Sequence, residues 1–218
     1  VTPLIPNRQL LRFEIPLRRR ERPPTLDGDL DDWPEEYLLP ATCRLDGQEP
    51  FAPVYAAWDE HGLYVACRVA GKARPLRCDP KAFWEGDNLR LCTDMRDTRD
   101  IRRASGFCQQ FWLLPCGGGR DGRRAIAGSA RIHRARENAP LVPPDRIPIA
   151  ARVTAGGYSL EAHIPAECLA GFDPAEHRRI GLYYMLEDQD HGQQYLTVGD
   201  DLNWYIDPST WATALLVG

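Results

Sequence analysis

A chain of 218 residues with 43% apolar residues, 27% charged residues and a formal net charge of −4 is long enough to bury a substantial core and has an ordinary globular composition. No apolar run approaches the ~20 residues that cross a bilayer. There is no basic helix, zinc-finger spacing or aromatic RNA-binding motif, which argues against membrane and nucleic-acid partners.

Residues 1–24 read as an N-terminal extension with one strand-like alternation (Leu11, Phe13, Ile15), closed by Pro23-Pro24, which cannot continue a sheet. Residues 25–218 read as one domain. Short β runs are expected at 37–44, 54–59, 62–70, 88–95, 107–114, 130–134, 148–154, 158–164, 180–187 and 212–217, separated by turn clusters in the manner of a sandwich or barrel. Asp59-Glu60-His61-Gly62 and Ala155-Gly156-Gly157 have hairpin chemistry. Pro165–Leu169 suits a single helical turn. The excursion 96–128 opens on a possible short helix and contains Gly117-Gly118-Gly119. No GK[ST] follows these glycines, so they read as a hairpin tip rather than a phosphate cradle.

Alternation within each strand sorts its residues by face. Leu63, Val65, Cys67 and Val69 form a core set that leaves Tyr64, Ala66 and Arg68 outward. The same sorting turns out Arg90 and Cys92, then Gln110 and Trp112, then Ser159, Glu161 and His163, then Tyr183, Met185 and Glu187. If these strands share a sheet, its outer face carries Arg68, Arg90, Trp112, Glu161, His163, Tyr183 and Glu187. Rings and planar charged groups together suit a saccharide or polyol, which stacks on the rings and hydrogen-bonds the charges. The alternative is a ladder of cross-strand ion pairs on a solvated sheet. Trp204 and Tyr205 sit in a polar loop where an exposed aromatic clamp is expected. Trp58 belongs to the core by its strand position, and Trp84 either packs or rims a pocket. Glu161 with Glu187, or Asp188 with Asp190, could form a carboxylate pair for glycoside hydrolysis. No GxSxG or HExxH accompanies them, so the chain is expected not to be an enzyme.

Seven cysteines without a CxxC leave at least one unpaired within the chain, and most are expected to be reduced, which favours the cytoplasm. The N-terminus shows no basic-then-apolar leader, and the missing Met suggests a trimmed start. Residues 96–136 hold ten Arg and three Asp, whereas 158–218 hold ten acids and two Arg. The bland reading is neutralisation within one fold. The sharper one is a basic ridge, led by Arg96, Arg99, Arg102 and Arg103, that contacts a protein partner or an anionic surface.

Taken in order, LDGDLDDW (26–33), VYAAWDEHGLYVACRV (54–69), WEGDNLRLCTD (84–94), GYSLEAHIP (157–165) and IGLYYMLEDQD (180–190) resemble the family-9 carbohydrate-binding modules and the wider DOMON-like sandwiches. The resemblance covers 25–218. It implies an all-β fold, a single antiparallel β-sandwich of jelly-roll or immunoglobulin-like two-sheet architecture with one or two short helical turns. It also implies a buried Trp33, a secreted or periplasmic home, sugar binding without catalysis, and structural calcium with Asp27, Asp29 and Asp188 as oxygen ligands. Asp27, Asp29 and Asp31 recur as in a calcium loop but lack the Gly and Glu of an EF-hand. Haem held by His163 and Met185 is the weaker ligand alternative, and an accessory subunit that kept the sandwich and lost the sugar is the main functional one. The chain departs from the family pattern at Arg90, where an acid is usual, and in its long basic excursion.

Overall fold

A computed structural model describes residues 12–218. The strands are β1 (Glu14–Arg18), β2 (Val54–Asp59), β3 (Gly62–Ala70), β4 (Asn88–Asp94), β5 (Cys108–Gly118), β6 (Arg124–Ala130), β7 (Ile149–Thr154), β8 (Gly157–Pro165), β9 (Arg179–Asp188), β10 (Gly192–Tyr195) and β11 (Ala212–Val217). They form two sheets. The larger has the order β1-β11-β9-β4-β5-β6 with β10 paired to β9, and the smaller has the order β2-β3-β8-β7. All pairs are antiparallel except β1 with β11. The helical elements among the described residues are five 3-10 turns rather than one or two. The expected turn after Pro165 is one of them, at Ala166–Cys168.

The alternation that sorts the sequence also builds the core. Leu89, Leu91, Phe111, Leu113, Ile180, Leu182 and Leu186 of the larger sheet face Trp58, Leu63, Val65, Val69, Leu160 and Ile164 of the smaller one, all buried in a single cluster. Two-residue loops close β2–β3 and β7–β8, fixing register through the pairs Asp59↔Gly62 and Thr154↔Gly157. Gly62 sits at φ +142°, where an added Cβ would collide with the Ile164 carbonyl, so a side chain there is disfavoured on both counts.

Three expectations about elements need correction. The run 37–44 is not a strand: 3-10 turns at Glu35–Tyr37 and Thr42–Asp46 flank an extended stretch with one isolated bridge, Leu38↔Tyr55. Pro34 and Pro40 interrupt any ladder there. The opening of 96–128 forms no helix, and about half of the segment is strand: β5 runs on to Gly118, past the expected end at 114, and returns as β6, while 130–134 contributes only its first residue to a strand. Residues 14–18 lie ahead of residue 25 and yet form an edge of the larger sheet, with Ile15 and Leu17 buried. The predicted Leu11 of that alternation lies outside the described residues.

Candidate functional site

The outward residues do not share one face, because β3 and β8 belong to the smaller sheet and β4, β5 and β9 to the larger. Arg68, Glu161 and His163 therefore lie apart from Arg90, Trp112, Tyr183 and Glu187. Sequence alternation reports the side of a strand, not the sheet it joins.

On the smaller sheet the outer face is covered. The segment 25–37 folds across it and packs Leu30 and Trp33 on Ala57, Tyr64 and Ala66, with Tyr37 and Tyr55 at the margin. Glu161 is the latch. Its Oε1 accepts from the backbone N–H of Asp27 and Gly28, both at 2.7 Å, and its Oε2 from Trp33 Nε1 at 3.0 Å. Burial pushes this carboxyl above its usual range, and those three donors offset only part of the effect. Ser159 Oγ donates to the Gly28 carbonyl. His163 is half-buried and stacks on Tyr64 at 4.5 Å, and burial lowers its pKa. Arg68 is exposed, 4.0 Å from Asp29. These groups hold the LDGDLDDW segment in place and leave no open floor for a ligand.

The outer face of the larger sheet is different. Arg90 on β4 stands between Trp112 on β5 and Met185 on β9 in register, and Asn88 stands beside Glu187. Two loops fold over this face. From 71–87, Phe83 stacks on Trp112 with centroids 5.8 Å apart. The opposite side of Trp112 lies on Gly128, where a Cβ would run into the ring. From 196–211, Trp204 stacks on Tyr183 at 4.8 Å, and its ring lies 4.9 Å from the Arg90 guanidinium carbon. Trp204 Nε1 donates to Asp200 at 3.0 Å, and Tyr183 donates to the Val198 carbonyl at 2.6 Å.

Between the loops, Arg90 Nη2 donates to Glu187 Oε2 at 2.6 Å, and Gln193 Nε2 donates to Asp200 at 2.7 Å. Burial raises the Glu187 carboxyl above its usual range and the Arg90 charge pulls it partly back. Two buried polar atoms on this face, Arg90 Nε and Asn88 Oδ1, have no hydrogen-bond partner among the described residues. Buried polar groups are normally paired; Arg20 Nη1, Asp32 Oδ1, Thr93 Oγ1 and the Tyr158 hydroxyl are likewise unpaired among the described residues. Two exposed rings flank the loops: Trp84, T-stacked on Phe83, and Tyr205, T-stacked on Trp204.

The exposed clamp expected at Trp204 needs correction. That ring is fully buried, as are Tyr183 and most of Trp112, and the accessible aromatic surfaces are one residue away or one loop over, at Tyr205 and Trp84. Trp84 was legible as an aromatic before a strand, but its exposure depends on Phe83 taking the place against Trp112. Asn88 was legible as outward by the same alternation that turns out Arg90, whereas Gln193 carried no sequence signal beyond polarity.

The three expected calcium ligands do not share a site. Asp27 and Asp29 pair with Arg152 at an exposed rim, whereas Asp188 is buried against Lys72, whose Nζ lies 2.7 Å from Asp188 and 2.6 Å from Asp87. Each carboxylate already faces a protein cation, so this set does not fit a divalent ion. Among the described residues no group of three or more His, Cys, Asp or Glu side chains is arranged for a metal. His163 and Met185 lie on different sheets, which separates the haem pair as well. Glu161 and Glu187 are parted in the same way. Of the basic excursion, Arg96 donates to the Met95 and Gly171 carbonyls, Arg99 to Phe13 and Arg103 to Arg134, so these arginines tie the fold together.

No protein-family model matches the chain, and no curated protein matches it significantly by sequence. Solved structures do match. A family-9 carbohydrate-binding module from Caldicellulosiruptor kristjanssonii in complex with cellotriose aligns with a TM-score of 0.64 and 14% identity over 94% of each chain. A family-9 module from the same organism in complex with glucose aligns with a TM-score of 0.63 and 15% identity, over 95% of this chain and 96% of that one. The chain has the fold of these modules, as the sequence resemblance implied.

Proposed function

We propose that the protein is a non-catalytic saccharide-binding module. Its site is the outer face of the larger sheet, between the loop that carries Trp84 and the loop that carries Tyr205. The observation that carries this reading is the Arg90–Glu187 ion pair, with Arg90 Nε and Asn88 Oδ1 unpartnered among the described residues, lying between two loops that each expose an aromatic ring. An oriented guanidinium and carboxylate match vicinal hydroxyls, each of which donates and accepts, and exposed rings match the C–H face of a pyranose. The sugar-bound state of structures with the same fold supports the ligand class. Of the two carboxylate pairs, Glu161 and Glu187 lie on different sheets, and Asp188 and Asp190 are both engaged by Lys72 Nζ, at 2.7 and 3.6 Å.

An interaction surface built on the 96–136 arginines has less support, because Arg96, Arg99 and Arg103 already bond backbone carbonyls of the chain itself. The deciding experiment is isothermal titration of the intact chain with glucose, cellotriose and xylo-oligosaccharides, repeated with Glu187→Gln and Tyr205→Ala. Saturable binding weakened at least tenfold by both substitutions is expected. Binding that both variants retain would place the site elsewhere, and no heat with any saccharide would sink the reading.

A further inference from the structure

Five of the seven cysteines are buried, and the two half-buried ones, Cys78 and Cys116, meet side chain to side chain. The contact is built by two elements that hold each other. Cys78 forms an isolated antiparallel bridge with Gly86 inside the loop 71–87, and its Sγ lies 3.3 Å from the Asp87 carbonyl oxygen. Cys116 lies near the end of β5. At the next residue, Gly117, an added Cβ would lie 3.6 Å from the Cys78 Cβ and 3.1 Å from Pro80 Cδ, so the backbone of β5 runs directly beneath the loop. The Cys78 side chain therefore sits against the β5 backbone at the residue that follows Cys116, within reach of the Cys116 thiol.

We propose that Cys78 and Cys116 are a redox-active pair which closes to a disulfide in the folded chain and staples the 71–87 loop to β5. The Cys116 thiolate attacks one sulfur of a small-molecule disulfide such as oxidised glutathione and releases one glutathione thiolate. Cys78 then gives up its proton and attacks the Cys116 sulfur of the mixed disulfide, releasing the second. Two protein thiols lose two electrons, the oxidant becomes two thiols, and the protons end on those thiols. The order of attack follows from the hydrogen bond within the pair: the Cys78 thiol holds Cys116 below the ordinary thiol range, while the same bond and burial keep Cys78 protonated. The other cysteines have no such role. Burial pushes Cys67 up to about 12 and Cys108 to about 11.

The site is independent of whether a saccharide binds, and its test uses no sugar. The intact chain is incubated with oxidised glutathione, quenched with an alkylating reagent while folded, and digested with trypsin. The expected product joins the peptide Cys78–Lys81 to the peptide 104–120 through Cys116, with Tm higher than in the dithiothreitol-treated chain by roughly 5–10 °C. Both changes should vanish in Cys116→Ser. Cys78→Ser should instead stop at one glutathione on Cys116. Recovery of Cys78 and Cys116 as separately alkylated peptides from the oxidised wild type would overturn the proposal, as would a link to Cys108 in place of Cys116.

Discussion

At the scale of single residues the two faces of the sandwich make opposite demands on their carboxylates. Glu161 is wholly buried with three donors on it, and removing it strands the N–H groups of Asp27, Gly28 and Trp33 in a dry interface. Glu161→Ala should therefore lower unfolding free energy by about 3 kcal/mol in urea melts, since each abandoned buried donor costs about 1–3 kcal/mol and some will reach water. A loss under 1 kcal/mol would show that the 25–37 segment does not depend on this latch. Trp84 is the contrary case. Half its surface is exposed, so Trp84→Ala should change stability by less than about 0.5 kcal/mol. It should weaken saccharide binding by about 2 kcal/mol, roughly thirtyfold by titration calorimetry. Equal affinity in the two proteins would remove Trp84 from the site. Both residues could be picked out in the sequence, Glu161 by alternation and Trp84 by its place before a strand. What each does was not legible, because it depends on which segment lies over it.

Elements were legible where a strand is two-sided and apolar on one face. The runs at β2, β3, β4, β8, β9 and β11 coincide with the expected ones to within a residue or so. The misses share a cause. β6 (RAIAGSA) is an edge strand whose small residues fit beneath Trp112, and β10 (GQQY) is polar and short, so neither offers the apolar alternation that betrays a strand. The loop 71–87 has no periodicity at all, yet it is anchored firmly. Lys72, at its start, is buried with Asp87, at its end, and with Asp188 of β9. Burial opposes charge on both Lys72 and Asp87, but the hydrogen bonds among these groups outweigh it, so the Lys72 pKa is raised and that of Asp87 lowered. Lys72→Met leaves two carboxylates facing each other without a counter-charge. The expected loss is about 3–5 kcal/mol in denaturant melts, with weakened saccharide binding because Phe83 and Trp84 ride on this loop. Full stability in Lys72→Met would mean that the aspartates protonate or rehydrate at little cost.

At the scale of the molecule, the succession of strands along the chain was readable but their division between the two sheets was not, and it is this division that separates Glu161 from Glu187 and His163 from Met185. Alternation assigns sides within a strand, whereas sheet membership is set by long-range pairing such as β3 with β8 and β4 with β9. The same partition shapes the response of the whole fold to pH. Glu161 and Glu187 have raised folded pKa values, chiefly from burial, so the native state binds their protons more readily than the unfolded chain does. Stability from these two falls as pH rises from about 4.3, the unfolded value. His163, lowered by burial, acts oppositely: the unfolded chain takes its proton first as pH falls through about 6.5. Between pH 6.5 and about 4.5 these contributions oppose each other. Below that, Asp87 and Asp190, both held low, and Glu60, lowered to about 2 by the Arg19 hydrogen bond, supply stability that is present above their unfolded values and lost as pH falls through the folded ones. Tm should therefore stay nearly level from pH 6.5 to 4.5 and drop steeply below about pH 4. Glu187→Gln should shift the level part without moving the acid limb. High salt should soften the exposed Glu60 contribution and spare the buried Lys72–Asp87 pair, because screening acts mainly on solvated charges. A steep loss already between pH 6 and 5 would mean that His163, and the packing of the 25–37 segment over it, governs the acid response instead.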